Sequence, residues 1–310
     1  MRRPKRCPRL RRQRGGRSEK RIRDRKRSAE KRRRGSVEKR RRAKKRKRCD
    51  RAVSRQLVPL DQLGKCRRAV DDQGQYLVGR LASRPLPDPL PPGSRLDAGF
   101  ARLLQRTTGR QWPLVLATLR AEGKTGSAPA TAKELKKLAK RLRGGGGDER
   151  VQALADYHRA AGIAGLTRGL AAVKDDLIDR VLRNPKISIY GGGRSDVSAG
   201  HVDVRVLVTM LYLAERQGGI TVTSLITGHG VFTKSGGISL HSLGRAMDIG
   251  AVAGTSILGN QQPGGVTESA LRDVLLMPEE LRPSELISLF AIGGPSFAMA
   301  DHADHIHVGF

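Results

Sequence analysis

At 310 residues the chain is long enough for two domains, and its formal net charge of +32 is unevenly spread. The first 50 residues hold 28 Lys and Arg against 5 acids, while the remainder carries 33 against 24, so tail and body are read separately. No apolar run approaches the ~18 residues of a membrane span. Cys7, Cys49 and Cys66 form neither a disulfide framework nor a Cys-x-x-Cys metal clip.

Residues 1–56 are Arg-rich, with too few apolar side chains to offset the entropy of ordering, and read as a disordered basic arm. Such an arm attracts polyanions, whether nucleic acid or the anionic polymers of a cell envelope, by displacing their counterions. It has no interleaved aromatics for base stacking, which argues against specific nucleic-acid recognition. Residues 57–96 read as a linker stiffened by Pro85-Leu-Pro-Asp-Pro-Leu-Pro-Pro-Gly93.

Residues 97–183 have helical spacing. Phe100, Leu103 and Leu104 mark one helix, and Trp112 starts a second with Pro113 in its first turn. Thr131-Ala-Lys-Glu134 is a capping box that opens a third, closed by Gly144 to Gly147. Asp148 caps a fourth through Val151, Leu154, Ala155 and His158. A longer one follows through Leu166, Leu170, Val173, Leu177, Ile178 and Val181.

From residue 184 the texture changes. Residues 187–190 read as a strand and Gly191-Gly-Gly193 as a turn. Asp203 caps a helix over 204–217, and the β-branched run 220–227 is a strand. Residues 246–249, 286–290 and 305–308 read as further strands, with a helix over 267–276. Helices and strands without regular βαβ alternation predict an α+β fold for 184–310, with a mostly antiparallel sheet and packed helices.

Two segments carry the chemistry: Ser239-Leu-His-Ser-Leu-Gly-Arg-Ala-Met-Asp248 and Asp301-His-Ala-Asp-His-Ile-His-Val-Gly-Phe310. His241, Asp248 and His307 supply two imidazoles and a carboxylate, a donor set that suits Zn²⁺ and leaves the fourth tetrahedral position to water. His305 and His307 are two apart, so on a strand they share a face. Gly244 permits a tight turn that brings Asp248 back towards His241.

Ser-x-His-x-x-Gly-x-Ala-x-Asp followed by a C-terminal His-x-His resembles the zinc peptidases that cut D-amino-acid-containing peptides of bacterial walls. These include D-Ala-D-Ala carboxypeptidases, murein endopeptidases and phage endolysins, and the signalling domain of hedgehog proteins shares their fold. The resemblance covers residues 187–310. It implies the hedgehog and D-Ala-D-Ala peptidase type of fold, zinc on His241, Asp248 and His307, and hydrolysis of peptidoglycan stem peptides at a bacterial envelope or outside the cell. That location conflicts with Met1 being followed by Arg and Lys rather than by the apolar stretch of a secretory signal. A misplaced start or release by lysis would resolve it.

The chain departs from the family in two places. Carboxypeptidase members carry Glu three residues before the last ligand, where Asp304 stands here. Murein endopeptidases carry His two before it, which His305 matches. His302 is a further candidate, and Asp301 stands where hedgehog domains have Glu. His305 is therefore read as base or transition-state donor, with Asp304 and Asp301 orienting histidines. The family's Ser-Gly-x-Arg becomes Thr227-Gly-His-Gly230, so His229, with Ser239, lies on the substrate side without arginine's bidentate fork. That favours endopeptidase cutting over gripping a free carboxylate. The rival reading is a zinc-containing binding module of the same fold without turnover.

In the helical domain, Leu114-Val-Leu-Ala-Thr-Leu-Arg-Ala-Glu-Gly123 and Ala153-Leu-Ala-Asp-Tyr-His158 resemble the catalytic helix and the Ala-x-x-Tyr-Asn motif of goose-type lytic transglycosylases. Gly123 replaces their Ser and His158 their Asn. A general acid at Glu122 would need enclosure that raises its pKa.

Overall fold

The computed structural model describes residues 25–27, 30–31, 35–41, 43–44, 86–144, 147–233 and 236–310. The three cysteines, most of the arm, residues 57–85 of the linker and two glycines of the 144–147 run lie outside them. The described pieces of the arm are helical and exposed, although composition predicts disorder. Arg and Lys are good helix formers where backbone propensity alone decides. Among the described residues no helix is long and apolar enough to cross a membrane.

Helix α1 (Ala98–Thr108) starts on Asp97, whose carboxylate accepts from the Phe100 amide at 2.9 Å. Helix α2 (Trp112–Ala121) carries Pro113 in its first turn, where the missing N–H has no partner to lose. Helix α3 (Ala132–Arg141) opens on the full Thr131–Glu134 capping box. Helix α4 (Glu149–Arg168) is capped by Asp148 and kinked at Gly162. The helix expected to run from Leu166 to Val181 is divided. Gly169, at φ 99°, ends α4, a 3-10 turn covers Ala171–Val173, and α5 (Lys174–Arg183) carries Leu177 and Val181.

The remainder is α+β. A seven-stranded mixed sheet runs β1-β2-β3-β7-β5-β6, with β4 (Thr255–Ser256) also on β3. It is antiparallel through β2 (Ile220–Ser224), β3 (Ala246–Val252), β7 (Ile306–Gly309) and β5 (Glu285–Ser288). Both outer pairs, β1 (Ile187–Ile189) with β2 and β5 with β6 (Ser296–Ala298), are parallel. Four of the six strand pairings are thus antiparallel, as expected, and the two parallel ones lie at the ends of the sheet.

Residues 191–193, expected as a turn, instead open helix α6 (Gly191–Ser198). A Cβ at Gly192 would lie 2.7 Å from Thr227 Cγ2, and one at Gly193 2.5 Å from the Tyr190 ring. These glycines serve close packing rather than a bend. Helix α7 (Val204–Arg216), capped by Asp203, is buried along most of its length, and α8 (Val266–Leu275) packs beside it.

One apolar core runs without a break from Leu90 in the helical part to Phe310 at the end of β7. Helix α7 is its centre, with α4 and α5 on one side and the sheet on the other. Arg216 on α7 pairs with Asp273 of α8 and lies 3.6 Å from Asp156 of α4, tying the helical and sheet parts at their rim. Strand alternation then divides the sheet. Met247, Ile249, Ile306, Val308 and Leu286 face the core, which leaves Asp248 and His307 on the opposite face.

Candidate metal centre

Asp248 on β3 and His307 on β7 are register partners in the centre of the sheet. His241 reaches them from the 3-10 turn His241–Leu243, which Gly244 closes at φ 68°. A Cβ at Gly244 would meet the His201 carbonyl at 2.2 Å, so the turn requires glycine there. Gly309 makes a second allowance: a Cβ would approach His307 Nε2 to 2.9 Å.

The three expected ligands converge. His241 Nε2 lies 3.1 Å from Asp248 Oδ1 and 3.1 Å from His307 Nδ1, and His307 Nδ1 lies 3.0 Å from Asp248 Oδ1. Donors around a tetrahedral zinc with bonds near 2.0–2.1 Å sit about 3.3 Å apart. The Leu225 carbonyl, 2.9 Å from His241 Nδ1, can only accept, so that nitrogen carries the proton and Nε2 presents its lone pair to the site. All three side chains are buried, at 1%, 6% and 7% exposure. Two imidazole nitrogens and a carboxylate oxygen at this separation repel one another unless a proton or a cation lies between them. The donor set fits a divalent cation.

Metal-free electrostatics agree. Burial pushes the His241 imidazole down to about 4, so it stays neutral. Burial alone would also lower His307, but Asp248 and Glu285 outweigh it and hold it up at about 9. Asp248 lies well below the usual carboxylate range, because the facing imidazoles overcome a burial that would raise it. A proton on His307 thus occupies the space that a cation would take.

The remaining candidates gather on the rim. His305 turns Nε2 to 3.8 Å from Asp248 Oδ1, while its Nδ1 lies 2.7 Å from Asp304 Oδ1. His302 pairs the same way with Asp301 at 2.8 Å, its ring 4.6 Å from His305 and 6.0 Å from His307. Each Asp fixes a tautomer whose Nε2 is a lone pair. His229 stacks on His241 with ring centroids 4.0 Å apart, and its Nδ1 lies 2.9 Å from the Gly230 carbonyl. Ligand atoms of His229, His241 and Asp248 also lie within 4.8 Å of one another. The His307 triangle is the tighter of the two. Ser239 is buried beneath and accepts from the His241 amide at 3.3 Å, a support rather than an exposed contact.

Sequence reasoning missed Glu285. Its Oε2 lies 3.3 Å from His307 Nε2, off the N–H direction, so the contact is an ion pair rather than a hydrogen bond. No motif marks Glu285; only the β5–β7 register, Glu285 opposite Gly309, brings it to the site.

Glu122 is not brought to the cluster. It ends α2, is 42% exposed and binds Arg141 at 2.6 Å, without the enclosure a general acid needs. His158 is fully buried, accepting from Arg120 at 2.9 Å and donating to the Pro113 carbonyl at 3.1 Å. Burial, with the Arg120 charge beside it, pushes it down to about 3.

Compared with protein-family models, with curated proteins and with solved structures, the chain matches none.

Proposed function

We propose that the chain is a zinc-dependent peptidase acting on the peptide part of bacterial cell-wall peptidoglycan, with the site at His241, Asp248 and His307. The observation that carries this reading is the triangle of three buried donor atoms 3.0–3.1 Å apart, with two His–Asp pairs on its rim. A zinc ion held there would act as a Lewis acid on a scissile carbonyl and bring the pKa of water in its open position towards neutrality.

The chain's own residues then divide the remaining work. His241 stays neutral and oriented through Leu225, and Glu285 holds His307 from behind. His305, its Nδ1 proton held by Asp304, presents a basic Nε2 that can take a proton from water and return it to the leaving amine. His302, with its Nδ1 proton held by Asp301 and burial lowering its pKa, is a second neutral imidazole beside His305 and the alternative candidate for the same proton transfer. The motif resemblance, rather than the geometry, supplies peptidoglycan as substrate and the envelope as location.

One observation favours a second reading. His229 offers a ligand atom within 4.8 Å of those of His241 and Asp248, close enough to act as a fourth ligand. Four protein ligands make a closed structural site, and the chain would then be a zinc-containing binding module.

The test is digestion of purified peptidoglycan by zinc-loaded wild type and His305→Ala, scored by new amino termini. Release by wild type and its loss in the variant support hydrolysis. No release from any wall type, with zinc bound, overturns it in favour of the binding module.

A further inference from the structure

Charge in the folded body is not evenly spread. Residues 98–144 hold eleven Lys and Arg against two acids, whereas residues 148–310 hold fourteen against seventeen. Much of the surplus sits on α1 and α3, which pack on each other. The buried side of α3 is Leu135, Leu138 and Ala139, and every Lys and Arg of that helix is exposed. Between α3 and the end of α2 lies a groove of about 620 Å³. Leu119 and Leu138 form its apolar floor, and Lys124, Lys137, Lys140 and Arg141 stand round it. Both acids of this region are already engaged there: Glu134 pairs with Lys124 at 2.9 Å and Glu122 with Arg141 at 2.6 Å. Among the described residues Lys137 and Lys140 have no ion-pair partner, so the groove keeps their two charges uncompensated.

We propose that this groove binds a linear polyol phosphate, the phosphodiester-linked kind of anionic wall polymer. Lys137 is one turn from both Lys140 and Arg141, roughly 5 Å along the helix, so the cations suit a chain of repeated anions rather than a single one. A lysine meets each phosphate as a point charge with three rotatable donors. The apolar side of α3 is taken up by the core, which leaves the helix no face to insert into a lipid surface. Phe100 and Trp112 are the only aromatic residues in 98–144. The first is buried and the second is half-buried and stacked on His158, so the groove offers no platform for nucleic-acid bases. Its Leu119–Leu138 floor can instead lie under the short carbon spacers between phosphates. The groove shares no residue with the metal centre, and its binding does not depend on hydrolysis there.

The test titrates purified poly(glycerol phosphate) into the full chain by calorimetry over a range of NaCl concentrations. Lys137→Gln combined with Lys140→Gln removes two phosphate contacts. Affinity should fall about tenfold near physiological salt, and the slope of log K against log[salt] should become shallower by about 1.4, at about 0.7 per contact on a single chain. Arg183→Gln combined with Arg282→Gln makes the same charge change at exposed positions outside the groove. It should alter affinity less than about twofold, because charges beyond a Debye length of about 8 Å are screened. No loss in the groove pair, or an equal loss in both pairs, overturns the site and leaves binding to the basic arm. Single-stranded DNA of matched phosphate number binding more tightly than the polyol phosphate, with that advantage lost in the groove pair, also overturns it and makes the groove a nucleic-acid site. Phosphatidylglycerol vesicles preferred in the same way overturn it in favour of a lipid surface.

Discussion

Two regions of this chain hold residues able to do acid–base chemistry, and they handle them in opposite ways. In the helical part the carboxyl of Glu122 is exposed against Arg141, and His158 is sealed between Arg120 and a carbonyl. At the sheet's outer face five of the seven histidines and four acids, Asp248, Glu285, Asp301 and Asp304, gather round one point. Residue type does not separate the two regions; environment does. A group is tuned for acid–base chemistry where burial and charged partners act on it together, and the second region gathers several such groups at one place.

The sharpest way to break this contrast is at Asp248. Asp248→Asn should lower zinc affinity by about a hundredfold or more, read by competition with a chelating dye, since it removes the one anionic donor. Next comes His305→Ala. It should leave zinc content unchanged while wall hydrolysis falls by about 10²–10⁴-fold, the usual share of a general base. Loss of zinc along with activity would make His305 a ligand instead.

Glu285→Gln should weaken zinc binding by about tenfold through His307, without abolishing it. Zinc uptake should also release a proton and weaken as pH falls below about 9, because the metal displaces the proton held on His307. Calorimetry in buffers of different ionisation enthalpy reads that proton directly.

The helical region predicts a stability effect rather than an activity effect. Free histidine titrates near 6.5 and buried His158 near 3, so between these values the unfolded chain binds a proton that the folded chain refuses. Stability should therefore fall as pH drops from 6.5 towards 3, and His158→Gln should make that slope shallower in urea melts. The smallest effect expected is at Glu122. Glu122→Gln should change wall degradation by less than twofold, and a large loss would restore the helical part as a second active site.

Much of the local architecture was legible beforehand, because it is written in neighbouring residues. Thr131, Asp148 and Asp203 cap helices through atoms two or three residues away, and Gly244 makes its turn within one loop. The break at Gly169 was not legible. The apolar spacing runs straight through it, and only the backbone angle shows the division. The helix at residues 191–198 was hidden too, since its glycines fit the Tyr190 ring and Thr227, contacts that sequence order does not show.

By itself the sequence determined the donor types and their spacing, since those are short-range facts, while the pairing of each rim histidine with one acid came from the structure. Tertiary structure alone decided that β3 and β7 are neighbours in register and that Glu285 stands behind His307. The reason is physical. Strand order is set by how the whole sheet packs on α7, and that depends on the summed burial of side chains far apart along the chain.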